Sequence, residues 1–219
     1  MFNAPYLDLH THHPSGATDA LEIESVYFGQ SPGGKTPWFS AGLHPRYLQN
    51  IDFQEAESWL RGMIVSPHCV FVGEAGLDKA TETPFNLQLE AFRLCVALSE
   101  EARKPLVIHC VGAFSEVLAV KKDLRPRCPW IFHGFEKNAQ TARMLTGAGC
   151  YLSFGGALLR PRSHAPESLR QTPPDRYFLE TDDRDIDIRA VYERAAHIRG
   201  EDVKEIRSQA FRNFQNVRS

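Results

Sequence analysis

The chain has 219 residues, of which 42% are hydrophobic, 11% aromatic and 24% charged. This length and composition suit a domain with a sizeable buried core, and they exclude disordered, collagen-like and coiled-coil proteins. The 25 basic and 27 acidic residues give a formal net charge of −2. The composition therefore carries no general electrostatic signal for bulk nucleic acid or an anionic membrane, and any contact with nucleic acid is expected to be local.

The sequence shows no pattern typical of secretion or membrane insertion. It contains no run of 18 apolar residues, and Met1 to Asn3 do not begin a basic and then apolar leader. We therefore expect a cytoplasmic protein with no membrane partner, and no segment indicates an obligate protein partner. The five cysteines are dispersed without a Cys-x-x-Cys pair, which predicts reduced core thiols and not a disulfide framework or zinc finger.

Short apolar runs alternate along the chain with amphipathic stretches of helix length. The predicted strands, rich in Val, Ile, Phe and Tyr, are residues 6–9, 21–28, 38–43, 69–73, 105–108, 129–132, 150–154 and 177–179. The predicted helices are residues 53–64, 86–102, 114–122, 139–146, 189–199 and 203–214. Strands that alternate with helices are typical of β-α units around a parallel sheet.

Eight such strands predict the α/β class and, within it, a trimmed (β/α)8 TIM barrel formed by one domain over residues 1–219. The segment between the second and third strands is too short for a parallel crossover that includes a helix. We therefore expect the barrel to be distorted at those two strands.

Residue types that bind metal ions occur at the ends of these runs. His10 and His12 are two residues apart, so a strand directs both side chains toward the same face. Four more such residues follow later runs: Glu74, His109, His133 and Asp182. The C-terminal ends of the strands of a parallel barrel open on one face, so these residues are expected to converge there. Imidazole and carboxylate groups accept Zn, Mg, Mn, Co or Fe, so the metal identity stays open.

Six motifs give the chain a resemblance to a known family. They are Asp-Leu-His-Thr-His at 8–12, Gly-Leu-His-Pro at 42–45, Gly-Glu-Ala-Gly-Leu-Asp at 73–78, Pro-Leu-Val-Ile-His-Cys at 105–110, Phe-His-Gly-Phe at 132–135 and Leu-Glu-Thr-Asp at 179–182. In identity and order they resemble the TatD family of metal-dependent hydrolases, which includes deoxyribonucleases. The resemblance runs from Tyr6 to Asp182, and Asn213-Phe214 also looks like the family's C-terminus.

The resemblance implies a distorted (β/α)8 barrel with two divalent metal ions and phosphodiester hydrolysis, often of DNA from a 3′ end. Two ions close together can activate water and polarise a phosphoryl oxygen. Asp182 would orient the attacking water and accept its proton. Carried over by position, the ligands are His10, His12 and Asp182 for one ion, His109 and His133 for the other, and Glu74 as the bridge.

Other positions bear on the substrate. The resemblance places His44 near the site, where it would contact substrate phosphate. Arg160 and Arg162 follow the seventh predicted strand, on the expected active face, and are candidates for phosphate binding. The family's Ser-Arg-Asp-Ala after the third metal-ligating histidine is replaced by Cys-Val-Gly-Ala at 110–113, and Asp-Arg-Asp at 183–185 adds acidic groups. The substrate is therefore left open between DNA and a small phosphodiester.

Three alternatives remain open at this point. A phosphoesterase of the polymerase-and-histidinol-phosphatase type, acting on small phosphate esters or diesters, shares the Asp-x-His-x-His opening but not the motif at 73–78. A metal-dependent amidohydrolase shares His-x-His but adds a bridging carboxylated lysine, and Lys104 is not at a predicted strand end. The third alternative is a non-enzymatic binding module on the same fold.

Overall fold

The structure is a computed structural model that describes residues 4–218. Residues 1–3, part of the expected leaderless start, lie outside the described residues. One strand corresponds to each predicted apolar run: β1 (Tyr6–Thr11), β2 (Ala20–Tyr27), β3 (Trp38–Gly42), β4 (Cys69–Asp78), β5 (Leu106–Val111), β6 (Trp130–Phe132), β7 (Tyr151–Phe154) and β8 (Tyr177–Leu179). The eight strands form one sheet in chain order.

Helices follow most of the strands. They are α1 (Phe53–Ile64), α2 (Phe85–Ala102), α3 (Phe114–Leu124), α4 (Ala139–Gly147), α5 (Ala165–Gln171), α6 (Ile188–Arg199) and α7 (Val203–Val217). Six of them confirm the predicted helices, and the strand order with these helices confirms the (β/α)8 barrel. Over residues 4–218 no helix is both long and apolar enough to cross a membrane.

The first two crossovers are where the barrel is trimmed. Residues 28–37 contain no helix, which confirms the short crossover between β2 and β3. Residues 12–19 also lack one, a shortening the sequence patterns did not reveal, although β1 and β2 still pair in parallel. The register of that pair shifts between Asp8 and Thr11. Such irregularities re-aim side chains next to functional sites, and here His10 lies within the shift.

The chain divides into two compact units. Unit 1 is the described part of Met1–Glu24 and Phe132–Ser219. Its core includes Leu7 of β1, Phe154 of β7, Phe178 of β8 and Tyr192 of α6, all fully buried. The Tyr192 hydroxyl accepts a hydrogen bond from Leu7 N–H at 3.1 Å and lies 2.9 Å from Leu7 O, to which it donates. These two bonds tie α6 to β1.

Unit 2 is Ser25–Ile131. All ten residues of β4 are buried, and the strand continues to Asp78, five residues past the predicted run. Glu74 therefore lies inside the strand and not after its end, which corrects the predicted placement. The continuation pairs with β5, with Gly76 opposite His109. A Cβ at Gly76, where φ is +154°, would lie 1.9 Å from the His109 carbonyl oxygen, so only glycine permits this approach.

Candidate metal centre

Unit 1 brings His10, His12 and Asp182 together, and we call these three residues the unit 1 cluster. One ligand atom from each lies within 4.8 Å of the others. The Nε2 atoms of His10 and His12 are 3.6 and 3.7 Å from Asp182 Oδ1, longer than a good hydrogen bond. Two donors bound about 2.1 Å from one tetrahedral ion lie about 3.4 Å apart. The spacing and the donor types therefore fit a divalent ion.

The backbone of β1 fixes the position of Asp182. Asp182 N–H donates to His10 O at 2.9 Å, and His12 N–H donates to Asp182 O at 3.0 Å. Asp182 adopts a φ of +59°, in the left-handed region that aspartate tolerates better than most residues. Its neighbour Thr181 donates backbone and hydroxyl hydrogen bonds to the buried Asp8, at 3.0 and 2.6 Å. These bonds hold the Asp182 carboxylate opposite the two imidazoles.

Asp8 is a positioning residue that the sequence pattern of candidate ligands did not include. It is 2% exposed. Burial raises its pKa, while the hydrogen bonds from Thr181 act in the opposite direction. Its position inside the apolar run at 6–9 is the sequence feature that could have identified it. A carboxylate buried in a strand needs hydrogen-bond partners nearby.

His133 and Glu180 lie beside the unit 1 cluster. The rings of His133 and His10 have centroids 4.4 Å apart. Glu180 Oε1 is 3.8 Å from His133 Nδ1, and the same oxygen accepts the Gly134 N–H. Burial raises the pKa of Glu180, the charge of His133 lowers it and that of Asp182 raises it. Glu180 therefore holds the loop that carries His133.

Unit 2 brings His44, Glu74 and His109 together, and we call these the unit 2 cluster. All three residues are buried, with exposed fractions of 7%, 3% and 8%. Glu74 Oε1 lies 3.0 Å from His44 Nε2 and 2.8 Å from His109 Nδ1. Burying a carboxylate is costly unless it is paired, and two imidazoles meet that need here.

The hydrogen bonds of His44 define its role within this cluster. Its Nδ1 accepts the Arg46 N–H at 3.1 Å, so Nδ1 carries no hydrogen. In the neutral ring Nε2 then carries the hydrogen and donates to Glu74. A metal bound at Nε2 would require the tautomer with its hydrogen on Nδ1. The Nδ1–H of His44 would then face the Arg46 N–H, with no acceptor between them. His44 is therefore suited to donating a hydrogen bond and not to ligating an ion.

Asp78 and Arg46 form the outer support of His109. Asp78 Oδ2 lies 2.9 Å from His109 Nε2 and accepts the Arg46 Nε–H at 2.8 Å. Asp78 is fully buried, whereas half of the Arg46 side chain is exposed. Burial acts to raise the pKa of Asp78, but hydrogen bonds from His109, Ala80 N–H and Arg46 outweigh it and lower the pKa. A carboxylate on the second nitrogen of a histidine fixes the ring and strengthens it as a metal ligand.

The predicted residues thus fall into sets within each unit. His10, His12, His133 and Asp182 lie together in unit 1, and His44, Glu74 and His109 lie together in unit 2. Arg160 lines a small pocket that also contains Asp182 and Glu180. Arg162 does not line that pocket but a separate cleft. Asp78 and Arg46 were not singled out, because nothing in the local sequence shows that they meet.

Lys104, the lysine considered for the amidohydrolase alternative, is engaged elsewhere. Its Nζ donates to the carbonyl oxygen of Ser66 at 3.0 Å and to that of Ile64. Ile64 is the last residue of α1, and Ser66 lies in the segment between α1 and β4. This placement disfavours a bridging role for Lys104.

Comparison with known sequences assigns the chain to a family. A family model described as TatD related DNase matches residues 31–218. The chain is 32% identical over 145 residues to the uncharacterized metal-dependent hydrolase YabD of Bacillus subtilis, covering 64% of this chain and 56% of that protein. It is 30% identical over 173 residues to the 3′-5′ ssDNA/RNA exonuclease TatD of Erwinia billingiae, covering 75% and 64%. The matches thus span about half to two thirds of these relatives.

Comparison with solved structures supports the fold. The crystal structure of YJJV, a TatD homolog from Escherichia coli K12, superposes with a TM-score of 0.82 over 99% of this chain and 98% of that chain. The sequence identity is 19%. A TatD family hydrolase from Entamoeba histolytica superposes with a TM-score of 0.75 at 14% identity, over 100% and 99% of the two chains. At these identities the likeness concerns the fold alone.

Proposed function

The chain belongs to the TatD-related DNase family, and on that premise we propose that it hydrolyses phosphodiester bonds with the help of two divalent metal ions. The observation that carries the proposal is the unit 1 cluster. Two imidazoles and one carboxylate lie at the spacing that ligands of a single ion adopt, on backbone held by reciprocal hydrogen bonds. Such a set has an evident use in metal-assisted hydrolysis.

For the ligands we propose the set that the family resemblance implies. One ion would be held by His10, His12 and Asp182, the other by His109 and His133, and Glu74 would be a ligand shared by both. Support comes from the contacts of His109, whose Nε2 faces Asp78 while Nδ1 faces Glu74. We also propose that residues 1–219 act as one catalytic domain in the cytoplasm.

Divalent ions bound there would make water a stronger acid and would polarise a phosphoryl oxygen. His10 and His12 bind as neutral imidazoles. The Asp182 carboxylate, whose side chain is 31% exposed, orients the attacking water and accepts its proton. The bond from the water oxygen to phosphorus forms as the ester bond breaks, and the departing alkoxide takes up the proton from Asp182. His44 contacts a phosphoryl oxygen and so orients the substrate: its Nε2–H, which here donates to Glu74, would turn to the phosphate once Glu74 serves as a metal ligand.

For the substrate we propose single-stranded nucleic acid cleaved from the 3′ end, with Arg160 contacting a phosphate near the ligands and Arg162 contacting a phosphate further along the strand. The naming of the Erwinia billingiae relative as a 3′-5′ ssDNA/RNA exonuclease supports this choice. The presence of Arg160 in the pocket with Asp182 supports a phosphate contact near the ligands. A small phosphodiester is the second candidate, since the acidic Asp183 and Asp185 would repel a polyanion.

A panel of four substrates tests the proposal. The protein is loaded in turn with Zn, Mn, Mg, Co or Fe and offered bis(p-nitrophenyl) phosphate, p-nitrophenyl phosphate, a cyclic amide and a 3′-labelled DNA strand. We expect metal-dependent cleavage of the diester and stepwise release of nucleotides from the labelled end. His10→Ala should abolish both activities, because it removes a ligand of the unit 1 cluster.

His197→Ala is the matched control, since His197 is exposed on α6 and touches neither cluster. It should leave both activities unchanged. Failure to cleave any diester with every metal would overturn the proposal. Turnover of the monoester alone would favour the phosphatase alternative, and turnover of the cyclic amide would favour the amidohydrolase.

A further inference from the structure

A cleft of about 590 Å³ lies in unit 1, with residues 136–137 forming one wall and residues 160–164 the other. Its volume falls within the range of ligand-binding pockets, roughly 300–1,000 Å³. The second wall follows β7 and a short 3-10 helix at Gly156–Leu159. The cleft is therefore built on the segment that also supplies the arginines predicted to bind phosphate.

The charges in this cleft are mostly positive. Lys137, Arg160 and Arg162 line it, with Glu136 as the one carboxylate among the lining residues. Glu136 pairs with Arg160. Within residues 4–218 the side chains of Lys137 and Arg162 have no ion pair. Since the chain as a whole carries a formal charge of −2, this cationic cleft is a local feature.

The cleft adjoins a second, smaller pocket that includes Asp182 of the unit 1 cluster. A pocket of about 60 Å³ is lined by Asp182 and Glu180, and it shares Glu136 and Arg160 with the larger cleft. The Glu136–Arg160 pair thus lines both the cleft and the smaller pocket. Both partners are about half exposed, and exposed ion pairs add little stability, so Arg160 can exchange its partner for an incoming anion.

We propose that this cleft binds a phosphate group of a nucleic-acid strand other than the phosphate being cleaved. Arg162 and Lys137 are its ligands, and Arg160 joins them when it leaves Glu136. Arginine fits a phosphate through two parallel hydrogen bonds, and lysine adds a compact charge. The proposal rests on the proposed function and deepens it, because it makes a strand with several phosphates the preferred substrate over a small diester.

The test compares two substrates in one double variant. Lys137→Gln/Arg162→Gln removes two charges from the cleft without touching a proposed metal ligand. We expect KM for a ten-nucleotide single strand to rise about tenfold, with kcat little changed. Bis(p-nitrophenyl) phosphate has a single phosphate, which cannot occupy the metal site and the cleft at the same time. Its rate of cleavage by the double variant should therefore stay within about twofold of the wild-type rate. The salt dependence of oligonucleotide binding should weaken by about 0.7 in logarithmic slope, since one phosphate contact of the strand is lost.

Lys122→Gln/Arg125→Gln provides the matched control, because it removes the same charge from exposed positions in unit 2. It should leave the oligonucleotide KM close to that of the wild type. Glu136→Gln should act in the opposite direction and tighten oligonucleotide binding, since Arg160 then loses its competing partner.

Binding is also measured by fluorescence anisotropy of the labelled strand in EDTA, which separates this proposal from the proposed function. The wild type should bind more tightly than the double variant even if it cleaves no diester. Equal binding by the two proteins would overturn the cleft assignment. So would an equal loss of oligonucleotide and small-diester cleavage, or binding of oligo-glutamate as tight as that of the oligonucleotide.

Discussion

At the scale of single residues, Asp182 combines a fixed backbone position with a carboxylate that faces two histidines. Its backbone is bonded to His10 in β1 and to His12 just after that strand, and its carboxylate faces the same two histidines. Asp182→Asn keeps the side chain's size but removes its negative charge, and with it the proposed proton acceptor and metal ligand. We expect kcat on bis(p-nitrophenyl) phosphate to fall at least about 100-fold, with an unchanged circular dichroism spectrum.

Asp183→Asn serves as the control for this variant, because Asp183 is exposed and lies 3.9 Å from its neighbour Arg184, away from both histidines of the unit 1 cluster. It should retain wild-type kcat. An Asp182→Asn enzyme with activity within threefold of the wild type would remove Asp182 from the proposed mechanism.

Asp78 offers a residue-scale test of the support around His109. Asp78→Asn replaces the carboxylate that faces His109 Nε2 and weakens the orientation of the ring. We expect the affinity for the ion at His109 to fall about 10- to 100-fold, measured by competition with a chelator. Asp123→Asn, at an exposed surface pair with Arg93, should leave the affinity unchanged. An equal affinity in the two variants would contradict the positioning role.

At the scale of elements, β4 depends on glycine for its approach to β5. Gly76→Ala would bring a Cβ to 1.9 Å from the His109 carbonyl oxygen and strain a φ of +154°. We expect a loss of about 2–4 kcal/mol in the free energy of unfolding, measured with urea. Gly147→Ala at the end of α4 meets open space and should be neutral or slightly stabilising. Similar stabilities for both variants would show that β4 can shift away from β5.

The end of α2 is joined to the segment before β6 by Glu100. Its carboxylate accepts the N–H groups of Arg127 and Cys128. Burial acts to raise the pKa of Glu100, but these bonds outweigh it and lower the pKa. The carboxylate therefore stabilises the fold above the unfolded pKa of about 4.3, and that contribution fades as pH falls toward the folded pKa.

Glu100→Gln should accordingly cost about 1 kcal/mol at pH 7, after allowance for solvent screening. The difference from the wild type in urea unfolding should narrow as pH falls to 4. Glu90→Gln, exposed on the same helix, should show no such difference at either pH. A gap that stays constant with pH would mean that the charge of Glu100 is not what stabilises this junction.

The strands and most helices could be predicted because apolar periodicity reports which segments are buried. The predicted β4 ended too early, because a charged residue such as Glu74 normally marks the end of a buried run. Here His44 and His109 lie within 3.0 Å of its carboxylate and offset the cost of burying it. Helix α5 was missed because it is short and has Pro166 as its second residue, after a polar loop. The pairing of Arg46 with Asp78 joins residues from separate elements, and sequence spacing cannot show such a contact.

At the scale of the whole molecule, metal binding should be visible in thermal stability. An ion that binds only the folded chain stabilises it by about 2.7 kcal/mol at 100 times its Kd. For a chain of this length we expect Tm to rise by about 5–10 °C on addition of the preferred ion. The His10→Ala/His109→Ala double variant should lose that rise, whereas His197→Ala should keep it. A rise of equal size in the double variant would place the binding elsewhere.

The most direct measurement is the number of ions bound per chain, determined by elemental analysis after loading and gel filtration. The account predicts about two divalent ions in the wild type and about one in the His10→Ala/His12→Ala variant, which lacks two ligands of the unit 1 cluster. A wild-type chain without bound metal, or a variant that binds as many ions as the wild type, would contradict it.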